Sequence, residues 1–247
     1  MVPVEQAKAY GLSMNSVPSM NATGAVRHDP VAEAPFLSGI PSHTRKLILS
    51  AAEYRTLPGK DTVIQSGAKA THLFLLASGK ARYYRVTGHG RELLLRWLVP
   101  GDVFGMASLL SNPPPYMGSV EVAEAAEAYV WKHACLCELS VTYPQITQNA
   151  LRIALGYLAS YAERHGNLVT ERAEHRLAHA LIRLGQQAGR LLPGAVHVDV
   201  TNEQLGNLSD VGMFTTTRVL KKWERQGAIA KKRNKILILA PEKLDID

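Results

Sequence analysis

The 247-residue chain is poor in the groups that build covalent or metal frameworks. It has two cysteines, Cys135 and Cys137. Two thiols supply neither a disulfide scaffold nor the four ligands of a structural zinc site. They are read as a strand pair not bonded to each other: either small semi-buried apolar residues or, alternatively, a redox pair. No metal site is expected. No apolar run approaches eighteen residues, which excludes a membrane-spanning helix as an expectation. The start, MVPVEQAKAYGLSMNS, lacks a basic segment followed by an apolar one, so export is not expected and a cytoplasmic setting fits. The strand-like segments carry no His-x-His cluster of the kind that holds metal in cupin-like barrels. No nucleophile-elbow motif accompanies the Ser, His and Asp residues. Catalysis is therefore not expected.

What is present is apolar bulk and positive charge. Hydrophobic residues make up 46% of the chain, enough for two modest cores, and the net charge of +7 suits a polyanionic partner. The charge is concentrated late. From Arg218 to Lys235 there are eight Lys/Arg and one acid, Glu224.

That basic run belongs to the most informative stretch, residues 201–235. Thr201 is a helix N-cap, followed by Asn202-Glu203-Gln204 as a first turn. Leu205 and Leu208 share a helix face, and Gly206 between them permits close approach of a second helix. Ser209-Asp210-Val211-Gly212 breaks the pattern, with Gly212 free to adopt positive φ. A second helix begins near Met213. Val219, Leu220 and Trp223 form its apolar face, and Thr215, Thr216, Thr217, Arg218, Lys221 and Lys222 occupy much of the rest. Hydroxyls and cations on one helix suit a DNA groove: cations neutralise phosphates, Arg pairs with guanine, and Thr offers a hydroxyl and a methyl. Ala228–Ala230 and Ile236–Leu239 then read as short strands around a basic turn, a wing whose Lys232 and Arg233 reach phosphate. The expected partner is double-stranded DNA, with no membrane partner. The expected contacts are Thr201, Met213, Phe214, Thr215, Thr216, Thr217, Arg218, Lys221, Lys222, Lys232 and Arg233.

Upstream, residues 1–30 read as a flexible tail and Pro41–Ala52 as a short helix. Short β-rich runs follow at Tyr54–Leu57, Thr62–Gln65, His72–Ala77, Lys80–Val86 and Leu93–Leu98, then at Ser119–Val122 and Ala128–Trp131. Regular short strands with glycine-bearing turns predict a β-barrel or jelly roll. Pro100–Gly105 is a turn into a short helix. After Leu139 the period becomes helical through roughly 142–167, with Ile146, Ala150, Ile153, Leu155, Tyr157, Leu158 and Tyr161. So long an apolar-faced helix after a barrel needs a partner, most simply a second copy of the chain. A further helix, about 170–188, leads through Gly189–Gly194 into the DNA segment. The fold class is α+β: a tail over 1–30, a barrel sensor domain over 31–140, a dimerisation helix over 141–168 and a winged helix-turn-helix domain over 169–247.

This order, together with Ile64-Gln65-Ser66-Gly67, Leu73–Gly79, Pro100–Gly105 and Thr201–Leu220, resembles the Crp/Fnr family of transcription regulators over about residues 36–240. The resemblance implies a homodimer on a two-fold symmetric promoter site, contact with RNA polymerase, and a barrel, cyclic-nucleotide-binding-like, that senses a signal. It places an effector pocket at Gly105, Met106, Ala107, Ser108, Ser119 and Tyr161. The pocket departs from the cyclic-nucleotide-binding pattern. Met106 stands where those members carry the ribose-binding glutamate, and Gly118-Ser119 lacks their phosphate-binding arginine. Tyr161 and Ala162 fall where the long helix reads adenine. Ser119 is alternatively a plain strand residue, and Arg82, Tyr83, Tyr84 and Arg91 are exposed barrel positions. Iron–sulfur members need an N-terminal cysteine cluster, and residues 1–40 contain none. No cofactor is expected and the effector is unassigned. The alternatives within the family are a cyclic-nucleotide-responsive regulator and a haem-based gas sensor using His72, His89 or His133. In the recognition helix Met213 and Phe214 replace the usual Arg/Val-Glu, while Arg218 matches the family's arginine. Phe214 either touches a thymine methyl or packs inward.

Overall fold

A computed structural model describes residues 29–88, 90, 92–232 and 234–244. Nearly all of the expected tail over 1–30, and His89, Arg91 and Arg233, lie outside the described residues, as do the side chains of 164 and 167–170. The chain forms two compact units that divide between Ala162 and Glu163.

The N-terminal unit contains helix α1 (Ser42–Ser50), strands β1 (Glu53–Leu57), β2 (Thr62–Ile64), β3 (His72–Val86), β4 (Glu92–Leu98), β5 (Val103–Phe104) and β6 (Ser119–Lys132), and helix α2 (His133–Thr142). Helix α3 (Gln145–Thr170) begins in this unit. All strand pairs are antiparallel in the order β1-β6-β3-β4, with β2 added on β6 and β5 on β3. Two segments expected as four short strands are two long ones. The break expected at Ser78–Gly79 is instead a run of irregular pairing within β3, where Gly79 has φ 79° and Ala125 O lies 2.5 Å from where a Cβ would stand. Period-2 burial splits β3 between two cores. Leu73 and Leu75 join Phe36, Ile48, Trp131, Leu136 and Ile146, whereas Phe74 and Leu76 join Leu57, Leu98, Phe104, Val120 and Val130.

Cys135 and Cys137 are free and stand in α2, not on a strand. Residues two apart on a helix project to nearly opposite sides, so they cannot pair with each other. Helix α3 starts at Gln145 because Pro144, without an N–H, ends the preceding turn. Ile146, Asn149 and Ala150 are buried against the barrel. Asn149 Nδ2 donates to Phe36 O at 2.9 Å and Ser38 O at 2.8 Å, which satisfies a buried amide. Farther along, Leu151, Leu155 and Leu158 are 60%, 55% and 63% exposed, an apolar stripe at i, i+4 and i+7. Among the described residues no helix is long and apolar enough to cross a membrane.

The C-terminal unit contains α4 (Ala173–Ala188), β7 (Arg190–Leu192), β8 (Ala195–Asp199), α5 (Asn202–Ser209), α6 (Met213–Arg225), β9 (Ile229–Lys232) and β10 (Lys235–Ile238). The stretch 189–194, expected as a linker, is instead strand β7 and its turn: β7 and β8 form a hairpin around Gly194, φ 75°. The four strands make one antiparallel sheet in the order β7-β8-β10-β9. Leu177, Leu181 and Leu184 of α4, Leu205 of α5, Val219, Leu220 and Trp223 of α6, and Ile229, Ile236 and Ile238 of the sheet are all buried, giving this unit its own core.

Candidate nucleic-acid interface

Helices α5 and α6 and the β9–β10 hairpin form a winged helix-turn-helix. Its first helix is fixed by a capping box: Gln204 N–H donates to Thr201 Oγ1 at 3.1 Å, and Thr201 N–H donates to Gln204 Oε1 at 3.0 Å. Thr201 thus serves first as a cap, though its hydroxyl hydrogen remains able to donate. The turn is set by Asp210, which takes the left-handed conformation at φ 49°; Gly212, expected there, is extended at φ −60° and ψ 148°. Asp tolerates this region better than most residues with a Cβ. Arg176 of α4 holds the turn from outside the motif. Its Nε donates to Ser209 O at 3.0 Å, its Nη2 to Asp210 O at 3.1 Å and its Nη1 to Glu171 O at 2.9 Å. A guanidinium on the last carbonyls of a helix suits the negative end of its dipole. Sequence reading missed this residue, and nothing in its local pattern signals it.

Helix α6 presents two opposite faces. Thr216, Val219, Leu220 and Trp223 are buried. Thr216, expected as a DNA contact, is therefore corrected to a core residue: its hydroxyl donates to Gly212 O at 3.1 Å and to Val211 O at 3.3 Å, and it packs against Gly206. On the far face Phe214, Arg218, Lys221 and Arg225 are all exposed, at i, i+4, i+7 and i+11. Arg225 was not among the expected contacts; its seven-residue spacing from Arg218 is the signal that could have found it. Thr215 and Thr217 flank this stripe, half-buried. Phe214 does not pack inward; it is 83% exposed, and Met213 before it 49%. Lys222, also an expected contact, is half-buried, with its Nζ 2.7 Å from Glu174 Oε1 of α4.

In the wing, Lys232 pairs with Lys235 in the β9–β10 register, and Asn234 between them takes φ 57°, as a two-residue hairpin turn requires. Lys232 and Lys235 are exposed at this tip, and Arg233 lies outside the described residues. Glu224, the one acid of the basic run, accepts from Lys231 N–H at 3.2 Å and so anchors the wing to α6.

The expected effector-pocket residues lie in the N-terminal unit, in and beside the barrel. Gly105 has φ 81° and could not carry a Cβ, which would stand 2.5 Å from His72 O. Met106 and Ala107 are half-buried in the turn that follows. Ser108 and Ser119 are buried and bonded to backbone: Ser108 Oγ donates to Gly105 O at 2.8 Å, and Ser119 Oγ accepts from Ser66 N–H at 3.0 Å. Ser119 is thus a strand residue that closes β6 onto the Ser66 loop. The ring of Tyr83 covers Gly118, so that a Cβ there would meet it at 2.6 Å. Burial, and then neighbouring Tyr161, raise the Tyr83 hydroxyl above its ordinary pKa. Neither tyrosine is exposed as expected: Tyr83 is half-buried and Tyr84 is buried. Arg82, expected as an exposed position, is bridged at 2.9 Å to Glu121 and 2.7 Å to Glu92. Arg96 lies 3.1 Å from Asp102 and 4.2 Å from the centre of the Tyr157 ring. Burial raises the Tyr157 hydroxyl to about 12 against the opposing pull of Arg96. It raises Asp102 also, again against Arg96. The two described histidines named for haem have engaged rings: His72 Nδ1 lies 2.9 Å from Thr71 Oγ1, and His133 Nδ1 2.8 Å from Ser108 O.

Comparison with known proteins agrees with both units. The family profile of the cyclic nucleotide-binding domain matches residues 54–143, and that of the Crp-like helix-turn-helix domain matches residues 175–245. The chain is 25% identical over 216 residues to the CRP-like cAMP-activated global transcriptional regulator of Mycobacterium tuberculosis, covering 87% of this chain and 96% of that protein. It is 27% identical over 220 residues to the probable transcriptional regulator flp of Lacticaseibacillus casei, covering 88% and 97%. Among solved structures, the c-di-GMP responsive global regulator CLP of Xanthomonas campestris superposes with a TM-score of 0.69 at 19% identity, covering 80% of this chain and 99% of that one. Members of the family these matches define are transcription regulators rather than enzymes. With both domain profiles matched in order and relatives aligned along most of its length, the chain belongs to the Crp/Fnr family, as a Crp-like transcription regulator with a helix-turn-helix DNA-binding domain.

Proposed function

We propose that this regulator acts as a homodimer on a two-fold symmetric promoter site, one α6 entering the major groove of each half-site. The observation that carries this is the division of α6 into a buried face and an exposed cationic one, with Arg218 at the centre of the latter. Two-fold symmetry rests on the Leu151–Leu155–Leu158 stripe, an exposed apolar seam at coiled-coil spacing that a second α3 would cover. Contact with RNA polymerase and action in the cytoplasm follow as parts of the same reading. Selection from random duplexes tests it. The expected product is an inverted repeat with half-site centres about one helical turn apart. A single unpaired site would refute the symmetric dimer.

For the sensor, we infer a signal other than a cyclic nucleotide, or none. Ser119 and Ser108 are bonded to backbone, Gly118 offers no cation, and Arg82 is held by two glutamates. A phosphate in this pocket would lack its charge-assisted bonds. Calorimetric titration with cyclic AMP is expected to show no heat of binding; micromolar binding would overturn the inference and favour the cyclic-nucleotide reading. No haem or other cofactor is proposed.

A further inference from the structure

Phe214 is the least expected group on the DNA face. It is the second residue of α6, 83% exposed, on the same stripe as Arg218, Lys221 and Arg225. Its ring has no hydrogen-bonding atom, so it cannot read the donors and acceptors that distinguish most base edges. The major groove presents one apolar feature, the C5-methyl of thymine. In a helix-turn-helix the N-terminal residues of the second helix are those that meet base edges. Met213, half-exposed beside Phe214, extends the apolar tip. The cations lie one, two and three turns behind, at Arg218, Lys221 and Arg225.

We propose that Phe214 reads a pyrimidine C5-methyl group, so that this regulator selects thymine at one position of each half-site and discriminates methylated from unmethylated cytosine there. The inference rests on the DNA-binding reading above and adds the base chemistry that α6 recognises. Phe214 acts as a specificity residue; Arg218 and the cations carry the remaining contacts.

The test uses the full chain and the duplex obtained by selection. Each thymine is replaced in turn by deoxyuridine, which removes the methyl and nothing else. Burying one methyl is worth about a fourfold change in affinity, so replacement at the reading position in both half-sites is expected to weaken binding about fifteenfold. Placing 5-methylcytosine rather than cytosine at the same positions is expected to tighten binding by a similar factor. Phe214→Ala should keep the fold, since the ring is exposed, and should bind thymine and uracil duplexes equally. Phe214→Leu should retain part of the preference. Equal affinity of the native protein for thymine and deoxyuridine at every position would overturn the proposal, as would persistence of the preference in Phe214→Ala. DNA bending that depends on Phe214 without any methyl preference would also overturn it, identifying a wedge instead of a reader. Failure to enrich any duplex is a different result: it refutes sequence-specific binding itself.

Discussion

The angle between the two helices of the DNA-binding motif depends on a missing side chain. A Cβ on Gly206 would stand 2.7 Å from Val211 O and 2.8 Å from Thr216 Oγ1, both well inside contact distance. Gly206→Ala sets two effects against each other. In a helix interior Ala is favoured over Gly by about 1 kcal/mol, so propensity alone predicts stabilisation. Against that, the turn carbonyl and a buried hydroxyl must retreat by roughly half an ångström in a packed core, and such overpacking costs about 1–3 kcal/mol. The steric effect wins, leaving a net loss of roughly 1 kcal/mol. Amide hydrogen exchange in α5 and α6 reads this locally, without assuming that both units unfold together, and about fivefold faster exchange of the most protected amides is expected. Because α6 must shift to accommodate the methyl, specific DNA affinity should fall as well. Thr216→Ala removes one of the two clashes, so the Gly206→Ala loss should be smaller in that background. Slower exchange in Gly206→Ala, or an equal loss with and without Thr216, would refute the contact.

Three further outcomes are expected. Arg218→Ala should abolish preference for the selected site over random duplex, whereas Lys232→Ala should weaken both alike and reduce the salt dependence by about one phosphate contact; equal losses on both duplexes for both variants would contradict the assignment. Leu155→Asp, on the exposed stripe of α3, should shift the protein from dimer to monomer in sedimentation and lower operator affinity; an unchanged dimer would place the interface elsewhere. Tyr157 titrates at about 12 in the folded protein against 10.0 ordinarily. Because the folded state holds this proton more tightly, stability is full below pH 10 and falls as the pH rises toward 12; Tyr157→Phe should flatten that decline, and an unchanged slope would show the hydroxyl is not buried as placed.

Where burial follows local period, the fold was legible in the sequence. The Val219, Leu220 and Trp223 face, the Thr201 cap and the start of α6 at Met213 all follow from spacing and N-cap chemistry. Other features escaped because their causes are not local. Long β3 looked like two strands because Gly79 reads as a break; only the close packing of Ala125 and Ala126 against it shows that the strand continues through irregular pairing. Thr216, by contrast, reads as a groove contact beside Thr215 and Thr217 although it stands three, four and seven residues before Val219, Leu220 and Trp223, a spacing that already places it on their buried face. Asp210 rather than Gly212 takes the left-handed turn, with Arg176, thirty-four residues away, on its carbonyl. Long-range bonds to backbone leave no periodic trace.

In a ligand-dependent sensor the pocket is incomplete until the ligand supplies the contacts that fix the helix leading out of it. Here such contacts are already made by side chains. Tyr83 covers Gly118, the position where an arginine would bind phosphate, and a Cβ there would collide with the ring at 2.6 Å. Tyr157 of α3 lies against Arg96, which is itself fixed by Asp102, whose carboxylate also accepts from Val99 N–H at 2.9 Å. The Arg96 cation is thus held from two sides, by a half-buried carboxylate and by an aromatic face, and moving α3 away would remove the second. These groups join β4, the Val99–Asp102 turn and the first half of α3 without any added molecule. They give the barrel a grip on α3 built from the chain's own side chains.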